Sequence, residues 1–155
     1  MNVYRICKTK FLKDLSGRGA ALYGGRWNNI DTYIVYTAQS RALALLETMV
    51  HTVRFITGEQ SIATLHIPEN SIEVVSEKQL PIDWNNYPPP DYIKTIGDDF
   101  IRRNTHLILK VPSALMPEEH NYLINPLHKD FKKIAIVSER VISVDERLQF
   151  SRGHM

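Results

Sequence analysis

The chain has 155 residues, a net charge of +2 and 43% hydrophobic residues, the size and composition of one globular domain with room for a core. So small a net charge gives no support to general polyanion or direct nucleic-acid binding. Cys7 is the only cysteine, which excludes an internal disulfide and a zinc site built from several cysteines. No apolar stretch approaches the length of a membrane span, and polar residues follow Met1 almost at once, so no membrane contact and no secretory signal are expected. The expectation is a cytoplasmic protein. One domain is expected over residues 1–150. Residues 151–155 match no structural pattern and read as an appended remnant or a loose tail.

Residues 3–7 (VYRIC) are β-branched and aromatic and predict a first strand, with Cys7 a buried, inert thiol. A loop with Ser16, Gly17 and Gly19 follows. Gly24-Gly25 before Arg26-Trp27-Asn28 is read as a turn into a strand; glycines there also suit a ligand site. Residues 33–37 predict a strand. A long helix is expected from about 39 to 55. Its apolar face is Ala42, Leu45, Leu46, Met49, Val50 and Val53, with Thr37 or the residues just after it as cap and Gly58 beyond the end.

Residues 61–67 and 72–76 predict two further strands. Residues 79–90, with Trp84 and Pro88–Pro90, read as an exposed loop. A second helix is expected at 91–103, with Tyr92, Ile93, Ile96, Phe100 and Ile101 as its apolar set. Strands follow at 106–111, 134–137 and 141–144, with a loop through Pro117 leading to the segment 121–126. Irregularly alternating strands and two helices predict an α+β domain with mixed or antiparallel sheets, not a doubly wound parallel sheet.

There is no P-loop, no Gly-x-Gly-x-x-Gly, no Gly-x-Ser-x-Gly and no His-Glu-x-x-His, so the kinase, Rossmann, common hydrolase and catalytic-metal readings fall away. What remains is a polar set of Arg, Tyr, Glu, Ser and Asn. Glu47 lies about 120° from the centre of the predicted apolar face, at the edge of the core, with His51 and Arg54 following along its stripe. Alone it reads as a boundary carboxylate in helical salt bridges.

The wider pattern changes that weighting. Tyr4-Arg5 is followed by Leu22 to Asn28 (LYGGRWN), Val35-Tyr36-Thr37-Ala38 and Leu45 to His51 (LLETMVH). Then come Val111-Pro112-Ser113-Ala114, Asn121 to Pro126 (NYLINP) and Phe131. In this order the set resembles the RES-domain family, over roughly Val3 to Phe150. Any one of these motifs is weak; six in order are specific.

The resemblance implies a fold like that of ADP-ribosyltransferases and a toxin of a type II toxin–antitoxin system. Such toxins deplete NAD⁺ by hydrolysis or phosphorolysis, or transfer ADP-ribose to a protein. No cofactor is implied; NAD⁺ is substrate, and phosphate is a co-substrate if the enzyme is a phosphorylase. The implied partner is a helix-turn-helix antitoxin that blocks the active site, with a toxin dimer inside a larger complex. By position, Arg5, Arg26, Tyr36, Glu47 and Ser113 match the family's functional residues, and Asn125 matches a family motif. The family's arginine is left between Arg5 and Arg26.

The chemistry fits these residue types. Breaking the nicotinamide–ribose bond leaves positive charge on the sugar, which a carboxylate, Glu47, stabilises. Arg5 and Arg26 suit the diphosphate. Tyr36 suits stacking on nicotinamide, and Ser113 a hydrogen bond to the ribose or carboxamide. Ser113 has no partnering base and is not read as a nucleophile. A non-catalytic binding module has no need for this set.

Overall fold

In the computed structural model, which describes residues 1–51 and 57–148, the chain folds around a single seven-stranded sheet. The strands are β1 (Asn2–Lys8), β2 (Val35–Ala38), β3 (Gln60–His66), β4 (Ile72–Val74), β5 (Ile108–Pro112), β6 (His120–Ile124) and β7 (Ala135–Ile142). Their order is β4-β5-β6-β2-β1-β3-β7, antiparallel throughout except for the parallel pair β4 and β5. Among the described residues three α-helices accompany them: α1 (Arg18–Tyr23), α2 (Arg41–His51) and α3 (Asp91–Arg103). This is the α+β class expected, with a mixed sheet.

Strand alternation sorts the core onto two faces. One face carries Val3, Val35, Ala63, Leu65, Ile108, Tyr122 and Ile124, covered by Leu12 from the loop after β1 and by Phe131 and Ile134. The other carries both long helices. Ile93 and Phe100 of α3 pack with Leu109, Val111 and Leu123 and with Trp27 and Trp84. Leu43 and Ala44 of α2 pack on Ala38, Tyr4 and Ile6. The site described below lies on this helical face.

Cys7, expected to be buried, is half-buried, and the segment 121–126, given no element from sequence, supplies most of the central strand β6. The structure departs from the sequence reading in four further places. The loop around Gly17 and Gly19 runs into a short helix, α1, entered through Gly17 at φ +76°, where the backbone of Ile34 leaves no space for a side chain. The two closing strands expected at 134–137 and 141–144 are one strand, β7; Ser138, Glu139 and Arg140 between them pair with Thr64, Ala63 and Ile62 of β3. Their polarity reflects an exposed edge strand, not a turn. Trp84, in a segment expected to be exposed, is buried against Trp27, the ring centroids 6.2 Å apart.

The fourth departure matters most. The helix at 41–51 exists, and Ser40 caps it by accepting from the Leu43 amide at 3.0 Å. Its inward face is rotated from the one expected, however. Leu43 and Ala44 are buried, while Ala42, Leu46 and Val50 are exposed. Hydrophobic periodicity locates a buried face only where the burial is apolar. Here the inward stripe continues into Glu47, whose carboxylate meets polar side chains of the sheet. Val53, Arg54 and the expected helix end at 55 lie outside the described residues, as do residues 149–155.

By contrast α3 spans the expected residues, closed by Asn104 in the left-handed conformation. It lies so close to the Arg26-Trp27-Asn28 turn that a Cβ on Gly97 would stand 1.9 Å from the Trp27 carbonyl oxygen. Among the described residues no helix is long and apolar enough to cross a membrane.

Candidate active site

Glu47 projects from α2 toward the ends of β5 and β6. Its Oε1 accepts two hydrogen bonds, from Ser113 Oγ at 2.9 Å and from Asn121 Nδ2 at 2.7 Å. Ser113 is fully buried just past the end of β5, and Asn121 is buried in β6. The direction of each bond is fixed by chemistry. Ser113 Oγ also accepts from the amides of Leu115 at 3.1 Å and Met116 at 3.3 Å. Both its lone pairs are occupied, so its hydroxyl proton points at Glu47. A carboxylate only accepts, so the amide nitrogen of Asn121 faces it. The other oxygen, Oε2, lies 3.7 Å from Nε2 of the exposed His51, one helical turn on.

The start of α2 is tied to the same strand. Gln39 donates its amide to the His120 carbonyl at 3.0 Å, and its Oε1 accepts from the His120 amide at 2.8 Å. The segment entering the helix is thus clamped to the strand at His120, one residue before Asn121. The serine that was expected to touch ribose or carboxamide instead donates to the carboxylate.

Tyr36 stands on β2, on the same face of the sheet as Leu123 and Trp27. Its hydroxyl donates to Asn28 Oδ1 at 2.6 Å and accepts from the Trp27 amide at 3.2 Å. Burial pushes the phenol far above its ordinary range, so Tyr36 stays neutral. Asn28 is fully buried and donates to the carbonyls of Ala20, Asn29 and Thr32, pinning the turn. Gly25 is required here for close approach: a Cβ would lie 2.7 Å from the Tyr36 hydroxyl and 2.8 Å from Asn28 Oδ1.

Arg26 extends from this turn and donates from Nη1 to the carbonyls of Trp84 at 3.2 Å and Asn86 at 3.0 Å. Burial lowers its pKa, opposed by the charge of Glu47 and by Tyr36, and a guanidinium remains cationic under such shifts. The Arg26 guanidinium, the Glu47 carboxylate and the Tyr36 phenol are thus near enough for their charges to act on one another.

The structure does not bring Arg5 or Asn125 to this cluster. Arg5 alternates with Tyr4 and Ile6, which pack under α2, and stands beside Ala63 on the opposite face of the sheet. Its Nη1 donates to the Asp14 carbonyl at 2.6 Å and the Leu12 carbonyl at 3.3 Å, fastening the loop after β1. Asn125 follows β6 at its far end, fully buried. It donates to Asn104 Oδ1 at 2.8 Å and accepts from the Leu127 amide at 2.9 Å, which locks the end of α3. Of the two arginines left open by the sequence, the one whose charge interacts with Glu47 is Arg26. Asn121 and Asn28 had no role assigned from sequence, although each lies in a motif quoted above.

An α+β domain thus places a hydrogen-bonded glutamate and a half-buried tyrosine on one side of its sheet, with an arginine whose charge acts on both. The comparisons give it a family. The RES domain family model matches residues 2–151. A protein named Toxin Res from Photorhabdus laumondii is 38% identical over 156 residues, covering 96% of this chain and 97% of that protein. A Sphingobium protein named Prs ADP-ribosylating toxin is 38% identical over 139 residues, 87% of this chain and 86% of that one. The toxin–antitoxin complex MbcT–MbcA of M. tuberculosis contains a chain with the same fold, with a TM-score of 0.73 at 15% identity, over 92% of this chain and 84% of that chain. The protein belongs to the RES-domain family of toxins.

Proposed function

We propose that this toxin cleaves the nicotinamide–ribose bond of NAD⁺, handing the ADP-ribosyl group to water or to phosphate and so depleting NAD⁺. The observation that carries the reading is the arrangement around Glu47. Ser113 and Asn121 hold one carboxylate oxygen, and the other, with only the exposed His51 near it at 3.7 Å, is offered to substrate on the sheet face that also carries Tyr36, within reach of the Arg26 charge. As the C–N bond to nicotinamide breaks, its electron pair leaves with the ring and neutralises the pyridinium. The ribose is left oxocarbenium-like, and the fixed carboxylate stabilises that charge without reorganising. Arg26 suits the diphosphate and the Tyr36 ring suits the nicotinamide.

A second reading is favoured by the Sphingobium relative, named an ADP-ribosylating toxin: the acceptor is a protein side chain, and the product is ADP-ribosylated protein. Bond cleavage is the same in both. A helix-turn-helix antitoxin covering this face, and a toxin dimer within that complex, belong to the proposal as partners; the fold shared with a chain of a toxin–antitoxin complex supports an antitoxin.

Product analysis separates the readings. Isolated toxin incubated with NAD⁺ is expected to release free nicotinamide, with ADP-ribose as co-product in water. If phosphate speeds the reaction and yields ADP-ribose phosphate, the enzyme is a phosphorylase. Label recovered mainly on protein in a cell extract, with little free ADP-ribose, selects the second reading. No nicotinamide under any of these conditions would remove both.

A further inference from the structure

We infer that Asn121 is a positioning residue for the reaction, acting through Glu47; the inference rests on the NAD⁺-cleaving reading above. Asn121 sits in a central strand, directly opposite Ala38 of β2 on one side and Val111 of β5 on the other. Its strand neighbours Tyr122, Leu123 and Ile124 are buried and largely apolar. Asparagine is a poor residue for such a position, both in strand preference and in the cost of burying an amide. What it provides there is the shortest hydrogen bond to Glu47, at 2.7 Å.

Two donors converge on Oε1. One donor alone would leave the carboxylate free to swing about it. Ser113 from β5 and Asn121 from β6 together fix the plane of the group, so Oε2 faces one direction only. Both donors belong to a rigid part of the fold: β5 and β6 are hydrogen-bonded from Ile108↔Ile124 to Pro112↔His120, and Ser113 donates its amide to the Glu119 carbonyl at 2.9 Å. Asn121 is itself buried, so its effect on a bound dinucleotide passes through Glu47.

The test is a kinetic cycle on the full chain, reading nicotinamide release from NAD⁺. Asn121→Ala and the volume-keeping Asn121→Leu are each expected to lower kcat roughly 10- to 100-fold, with KM within about twofold of wild type. In a Glu47→Ala background, where there is no carboxylate to aim, adding Asn121→Ala is expected to cost nothing more. A purely structural role would multiply the loss in both backgrounds. Retained kcat in whichever variant folds, a rise in KM in place of the fall in kcat, or a repeated loss in the Glu47→Ala background would overturn the inference. Failure of the underlying reading looks different: wild type releases no nicotinamide, or Glu47→Ala releases it at the wild-type rate.

Discussion

Glu47→Gln is expected to lower nicotinamide release from NAD⁺ by about 10²- to 10³-fold while the fold stays intact. The hydrogen bonds dictate how the amide sits. Ser113 and Asn121 both point donors at the Oε1 position, so the glutamine carbonyl must take it. The NH₂ group then occupies the Oε2 position. A neutral donor stands where a negative acceptor should meet the ribose, and the stabilisation of the oxocarbenium charge is lost. Because the volume is unchanged and both donors keep their acceptor, the melting temperature should barely move. Initial rates beside a thermal melt check both halves; a variant as active as wild type would remove Glu47 from the chemistry.

Gly97→Ala is expected to destabilise the protein, against the usual preference of helices. Alanine in a helix interior is ordinarily favoured over glycine by about 1 kcal/mol. Here the added methyl would stand 1.9 Å from the Trp27 carbonyl oxygen and 3.1 Å from Ile34 Cδ1. The first contact is with backbone, which cannot rotate away. α3 must lift from the turn, and the Phe100 and Trp27 packing opens with it. A net loss of about 2 kcal/mol is expected, which lowers Tm by roughly 4–8 °C in a chain of this size. Activity should fall as well, because Arg26 and the Trp27 amide that binds Tyr36 sit on the displaced turn. A melt showing equal or higher Tm would contradict this account of the α3 seat.

These two positions also mark what was legible in the sequence. Glu47, Tyr36, Arg26 and Ser113 were legible as an ordered set, and the structure brings them to one face. The helix at 91–103 was legible because its burial is apolar, with Ile93 and Phe100 inward. The orientation of α2 was not, because its inward stripe ends in a carboxylate whose partners, just past β5 and in β6, lie 66 and 74 residues away. Asn121 was hidden for the same reason: its worth is a single contact across the fold. Arg5 looked equivalent to Arg26 in sequence. Only the alternation of β1, with Tyr4 and Ile6 under α2, sends it to the opposite face. Gly97 carried no visible signal, since its role is the close approach of a turn 70 residues earlier.

A crystal structure of the Glu47→Gln variant with NAD⁺ examines the arrangement itself. The nicotinamide ribose should lie within hydrogen-bond reach of residue 47, with the diphosphate on Arg26 and the nicotinamide against the Tyr36 ring. Density for the dinucleotide on the other side of the sheet, beside Arg5, or anywhere that leaves residue 47 out of contact, would refute it.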